Sequence, residues 1–166
     1  MAIQEIHWID QGTLEKKDHP IFYSCDRKQH MLEVGFVVKK NFKRMVIDFK
    51  AISTRICTLR IKGKSFNYTI INVHAPTEVS TLEGKEKESF YDVIQKTYDD
   101  SPSYDAKIII GDMNAQVGKE EIYRPTIGSH SLHENTNDNG YRLIQFATVC
   151  KYSDIILKLM QLPPRR

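Results

Sequence analysis

Short apolar runs alternate with polar ones along much of the chain. Val34-Gly35-Phe36-Val37-Val38 is brief, apolar and rich in β-branched residues, which predicts a strand. Met45 to Phe49 alternates apolar and polar positions. Arg55 to Lys62 alternates again, with Ile56, Thr58 and Arg60 on one face and Cys57, Leu59 and Ile61 on the other. Phe66 to Val73 follows across Lys62-Gly63-Lys64-Ser65, so these two runs predict an antiparallel hairpin. The period then changes. Phe90, Val93, Ile94, Thr97 and Tyr98 recur at helical spacing within Glu86 to Asp100, the opposite face is charged, and Ser101-Pro102-Ser103 ends the run. Ala106 to Ile110 has the composition of a buried strand. Gly111 to Asn139 is polar and predicts a long loop. Leu143, Ile144, Phe146, Ala147 and Cys150 predict a second amphipathic helix from Gly140 to Cys150. Ser153 to Leu157 is a further strand candidate, and the tail from Lys158 to Arg166 is expected to fray.

The strand at 66–73, the helix at 86–100 and the strand at 106–110 form a β-α-β unit. Such a crossover makes its two strands parallel, so both end at the same edge of the sheet. His74-Ala75-Pro76 follows the first strand, and Gly111-Asp112-Met113-Asn114 follows the second. The carboxyl ends of strands are where α/β sheets build their sites.

These two segments carry the candidate chemistry. Asp112 and Asn114 point the same way on extended backbone, and Gly111 permits a sharp turn and close approach of a ligand. The carboxylate can orient or deprotonate a water, and the amide can donate to a phosphoryl oxygen. An Asx turn after a strand accounts for the pair equally well. His74 can act as general acid or as hydrogen-bond donor to a phosphate; a structural histidine is the commoner use. Glu5, in Ile3-Gln4-Glu5-Ile6, is an isolated carboxylate of the kind magnesium accepts, although most such residues are only solvated. Two other motifs fail on inspection. Gly63-Lys64-Ser65 resembles the end of a phosphate-binding loop, but Thr58 stands where the first glycine is required. Asn135, Asn137, Asn139 and Gly140 mimic the start of a calcium loop, but Phe146 occupies the position of its bidentate glutamate.

Composition narrows the picture. A chain of 166 residues, 40% hydrophobic and 10% aromatic, fits one domain with a packed core. No window approaches the ~18 apolar residues of a membrane span, and Met1 to Asp10 lacks the pattern of a secretory signal. Cys25, Cys57 and Cys150 are odd in number and lack CxxC spacing, so reduced thiols and an intracellular setting, nuclear or cytoplasmic, are expected. Asn67-Tyr68-Thr69 matches a glycosylation acceptor but falls in a strand, and is read as chance. Residues 1–75 hold 13 Lys and Arg against 7 Asp and Glu, whereas residues 76–166 hold 11 against 14. A basic first half suits a phosphate backbone, and equally a solvated lysine-rich face.

In their order, Gln4-Glu5, His74-Ala75-Pro76-Thr77 and Gly111-Asp112-Met113-Asn114 resemble the endonuclease/exonuclease/phosphatase superfamily. Arg55-Ile56-Cys57, Ile70-Ile71-Asn72-Val73 and Arg124-Pro125-Thr126-Ile127-Gly128 through Asn137-Asp138-Asn139-Gly140 are most similar to endonuclease domains of non-LTR retrotransposons and to the craniofacial development protein 2-like proteins. The resemblance runs from about Ala2 to Ile155. It implies an α/β fold, a four-layer sandwich of two sheets flanked by helices. It also implies magnesium- or manganese-dependent hydrolysis of DNA phosphodiesters, with contact through the phosphate backbone and no membrane or obligate protein partner. By motif position Glu5 resembles the metal-binding glutamate, Asp112 the water-activating aspartate, and Asn114 the asparagine that steadies the phosphate. His74 stands where some members carry a proton-donating or phosphate-binding histidine.

The family pattern also has an earlier strand with an asparagine, and later segments with an aspartate and a Ser-Asp-His motif, which this sequence does not match. Residues 1–157 are therefore expected to form a domain incomplete at both termini, followed by a divergent tail at 158–166, with catalysis reduced. The alternative is a catalytically inactive remnant that binds nucleic acid weakly and without sequence preference.

Overall fold

A computed structural model describes residues 1–5, 12–15, 19–24, 34–77, 84–128 and 131–150. Four short strands, β1 (Ala2–Gln4), β2 (Gly12–Leu14), β3 (Ile21–Ser24) and β4 (Val34–Val37), pair antiparallel in the order β1-β4-β3-β2. A four-residue helix, α1 (Lys40–Lys43), leads into a second sheet of β5 (Val46–Ser53), β6 (Ile56–Ile61), β7 (Tyr68–His74) and β8 (Ala106–Asp112), in the order β5-β6-β7-β8. Strand β6 pairs antiparallel with β5 on one side and with β7 on the other. Strand β8 runs parallel to β7, with Tyr68 opposite Ala106 and His74 opposite Asp112. The hairpin and the parallel β-α-β strands expected from the sequence are thus present. The helices are α2 (Lys85–Asp99), α3 (Arg124–Ile127) and α4 (Asp138–Val149), with a 3₁₀ turn at Glu121–Tyr123. The architecture is α/β, compatible with an α/β sandwich.

The described residues fall into two compact units, one of residues 1–74 and 104–112, the other of residues 75–103 and 113–150. In the first unit the two sheets share a core. Phe22, Val34, Phe36 and Val38 meet Cys57 and Leu59, with Ile61, Ile70 and Ile110 packed against them. This is the Cys57-Leu59-Ile61 face of β6 that the alternation picks out. The rings of Phe22 and Phe49 meet at 5.5 Å. Burying each large side chain of this kind contributes about 1.5–3 kcal/mol. The alternate positions Ile56, Ile71, Val73 and Ile109 are buried too. Water is therefore excluded from both faces of the middle strands, as in sheets covered on two sides.

The second unit holds α2 and α4. Helix α2 buries Phe90, Tyr91, Ile94, Thr97 and Tyr98, and Lys87 joins that face by pairing with Asp138 at 3.2 Å. Glu86 and Glu88 favour its first turn and Lys96 its last. It stops where Ser101 Oγ donates to the Thr97 carbonyl, just before Pro102. Helix α4 begins at Asn137, whose side chain accepts from the Gly140 amide at 2.8 Å. Tyr98 and Phe146 meet edge to face at 6.2 Å.

Two sequence expectations change. The polar stretch Gly111 to Asn139 is not all loop, because the 3₁₀ turn and α3 interrupt it. Pro125, with its preset φ, sits in the first turn of α3, and four residues are too few to show periodicity. Strands β1, β2 and β3 were not foreseen. The expected strand Ser153–Leu157 and the tail lie outside the described residues. No helix among the described residues is long and apolar enough to cross a membrane. Cys57 and Cys150 are buried and form no disulfide among the described residues, and Cys25 lies outside them.

Candidate active site

The parallel register of β7 and β8 sets His74 beside Asp112. Gly111 makes that pairing possible. Its φ is +131°, and a Cβ there would stand 1.9 Å from the Val73 carbonyl oxygen, so no other residue fits without moving the strands. His74 is buried and Asp112 is exposed, so the imidazole forms the floor and the carboxylate the rim.

Glu5 enters from the other sheet. It follows β1 with φ of +56°, and 71% of its side chain is open to solvent. Its Oε1 lies 3.9 Å from His74 Nε2, near enough for electrostatic interaction and too far for a direct hydrogen bond. Asn72 holds this approach. Its Nδ2 donates to Ile3 O at 3.1 Å and to Gly35 O at 2.8 Å, and its Oδ1 accepts from Gln4 Nε2 at 2.7 Å. Ile3 and Gly35 are partners across β1 and β4, so a single carboxamide on β7 fastens the strand that carries Glu5.

Arg55 closes the same corner. Its Nη1 donates to His74 O at 3.2 Å, and its own carbonyl accepts from His74 N at 2.9 Å. Burial holds the His74 pKa below its ordinary value, and Arg55 reinforces this. Asp112 and Glu5 act in the opposite direction. A neutral imidazole carries one donor and one acceptor nitrogen, and at neutral pH that is the form present. Among the described residues Nδ1 is buried without a hydrogen-bond partner.

Asn114 belongs to the second unit. Its φ is +45°, and its Nδ2 donates to Ala75 O at 2.7 Å. Its carbonyl accepts from Asn137 Nδ2 at 3.1 Å and from Asn139 Nδ2 at 3.3 Å, while Asn139 Nδ2 also reaches Pro76 O at 2.8 Å. The asparagine run that mimicked a calcium loop is therefore a bracket of backbone hydrogen bonds and a helix cap. The structure brings Glu5, His74 and Asp112 into one unit and leaves Asn114 in the other.

No cluster of three or more His, Cys, Asp or Glu among the described residues could enclose a metal. An all-protein cage of the zinc type is therefore absent there. Magnesium needs only one or two carboxylates and keeps its waters. The exposed Glu5, with Asp112 on the same unit, suits that kind of ion.

Sequence reasoning passed over Asn72 and Arg55 as site residues. The signal for Asn72 was its place between Ile71 and Val73, since a polar side chain inside a buried strand must be hydrogen-bonded. Arg55 carried no comparable signal; its cation reaches the site because β6 and β7 pair.

These features define an α/β protein with acidic and imidazole groups gathered where strands of its two sheets end. No protein-family model matches the chain. Over its whole length it is similar to craniofacial development protein 2 of Bos taurus, at 33% identity across 168 aligned positions and covering 27% of that protein. It is similar in the same way to craniofacial development protein 2 of Tragulus javanicus, at 34% identity and covering 28%. The chain spans about a quarter of the length of the curated relatives it matches.

Proposed function

We propose that this chain carries a magnesium- or manganese-dependent site for hydrolysing DNA phosphodiesters, of the endonuclease/exonuclease/phosphatase type. The observation that carries the reading is the meeting of Glu5 and His74 at 3.9 Å, with Asp112 in register beside His74. In this reading Asp112 orients the attacking water and takes its proton. Neutral His74 donates a hydrogen bond to the phosphate or to the leaving oxygen. Glu5 holds the ion. When bound, the ion supplies positive charge against the negative charge that develops on phosphorus oxygens. Arg55 adds a fixed cation at the same corner, and the basic first half of the chain favours approach of a phosphate backbone.

A supercoiled-plasmid assay tests the reading. Nicking is expected with magnesium or manganese and is expected to vanish with EDTA, with Asp112→Ala and with Glu5→Gln. Cleavage that survives Asp112→Ala would defeat it. Salt-sensitive binding with no nicking under any metal would favour the alternative, a non-catalytic nucleic-acid binder.

A further inference from the structure

The rim of the second sheet opposite His74 and Asp112 has its own character. Segment 39–68 holds nine Lys and Arg against one acidic residue, Asp48. Register gathers much of that charge at one end of the sheet. Met45 N donates to Phe42 O and Lys62 N to Met45 O, so α1 lies beside the end of β6. Ile61 pairs with Tyr68, and Tyr68 with Ala106, which brings the β6–β7 turn and the residues before β8 to the same end. Lys39, Lys40, Arg44, Lys62 and Lys64 are exposed there and form no ion pair among the described residues.

Three aromatic rings stand among these cations. Phe42 is 51% exposed, Phe66 49% and Tyr104 70%. Phe66 lies 5.2 Å from the ring of Tyr68. Tyr104 is stiffened from beneath. The Arg60 guanidinium sits 5.6 Å from its ring centroid and is itself fixed by Asp105, at 2.7 Å through Nε and 3.0 Å through Nη2. Asp105 is buried and also accepts from Thr69 Oγ1 at 2.8 Å. An exposed ring on a locked guanidinium is a preformed stacking platform.

We propose that this rim binds single-stranded nucleic acid. Cations that follow a phosphate backbone, interleaved with rings on which bases stack, are the two components such binding requires. A duplex hides its base faces and would use only the charge. A lipid surface would call for a continuous apolar wedge, whereas these rings stand on three separate elements with lysines between them. The seven-residue strands β7 and β8 put about 20 Å between this rim and the His74 end, so the surface is separate from the proposed hydrolytic site. It stands whether or not that site is active.

Fluorescence anisotropy with labelled oligo-dT and oligo-U, in EDTA so that no metal-dependent cleavage intrudes, tests the proposal; the two probes separate DNA from RNA. Binding of at least one is expected. Phe42→Ala, Phe66→Ala and Tyr104→Ala should each weaken it about tenfold while leaving duplex binding nearly unchanged. Lys62→Gln combined with Lys64→Gln should reduce the slope of log affinity against log salt by about 1.4. All substituted side chains are exposed, and unchanged thermal midpoints will confirm the fold. The proposal is overturned by no binding at low salt or by ring variants that bind as tightly as the parent. Equal weakening of duplex binding, or binding to phosphatidylserine vesicles without binding to oligonucleotides, also overturns it.

Discussion

Asn72 Nδ2 donates to Gly35 O at 2.8 Å, reaching from the middle strand of one sheet to the second strand of the other. The same nitrogen meets Ile3 O, and Gln4 Nε2 returns a bond to its oxygen. Strand β1 is three residues long, and its antiparallel pairing with β4, extended by two 2.8 Å backbone bonds between Met1 and Val37, holds it on one side only. Glu5 follows it directly, and Asn72 lies two residues before His74. One fully buried amide therefore ties the paired strands β1 and β4 to β7 and supports the meeting of Glu5 with His74. Asn72→Ala is expected to cost about 2–4 kcal/mol, because it leaves a buried void and removes three hydrogen bonds. Urea denaturation measures this. A loss below about 0.5 kcal/mol, the scale of an ordinary surface substitution, would show that the strand is held by other means.

Gly111 faces Val73 across the parallel pair, and a Cβ at Gly111 would meet the Val73 carbonyl at 1.9 Å. No rotamer relieves a clash with backbone, and φ of +131° adds strain for any L side chain. Gly111→Ala should therefore destabilise the protein by more than about 2 kcal/mol. It should also lower any hydrolytic activity beyond what the stability loss explains, since Asp112 is the next residue. Chemical denaturation and plasmid nicking, run on the same preparation, separate the two effects.

The hairpin of β6 and β7 and the crossover through α2 were legible because each run is long enough to display its period. That topology was sufficient to bring His74 and Asp112 to one edge. Strands β1, β2 and β3 have only three or four residues, and pairing rather than propensity makes them strands. Glu5 consequently had no local signal; only the resemblance singled it out, and only the bonds of Asn72 explain its position. Asn137 and Asn139 showed the opposite problem. Their spacing mimics the start of a calcium loop, which Phe146 at the twelfth position rules out, and their amides are used to hold the carbonyls of Asn114 and Pro76. Short-range pattern does not distinguish an asparagine that binds an ion from one that binds backbone.

The proposed chemistry predicts an ordered pair of losses. Asp112→Asn keeps the shape of the side chain and removes the base, so nicking should fall by about 10²–10⁴-fold. His74→Gln retains a donor near the same place and should lose less. If His74→Gln proves the more damaging, the imidazole rather than Asp112 is handling the proton, and the roles must be exchanged.

Asp105 predicts the acid side of the stability curve. Its carboxylate is buried and accepts from Arg60 and Thr69. The Arg60 hydrogen bonds hold its pKa below the ordinary value of 3.8, with burial opposing and Thr69 assisting. The unfolded chain therefore binds a proton at this residue more readily than the folded one. Stability from this group is fully present above the ordinary value and is lost as pH falls through and below it. Asp105→Asn should cost about 2 kcal/mol at neutral pH, as expected for hydrogen bonds to a charged group whose partner, Arg60, is partly solvated. The gap between parent and variant should narrow as the medium is acidified below that value. Urea midpoints measured across that range decide the matter. A gap that stays constant with pH would mean that Asp105 contributes by packing alone.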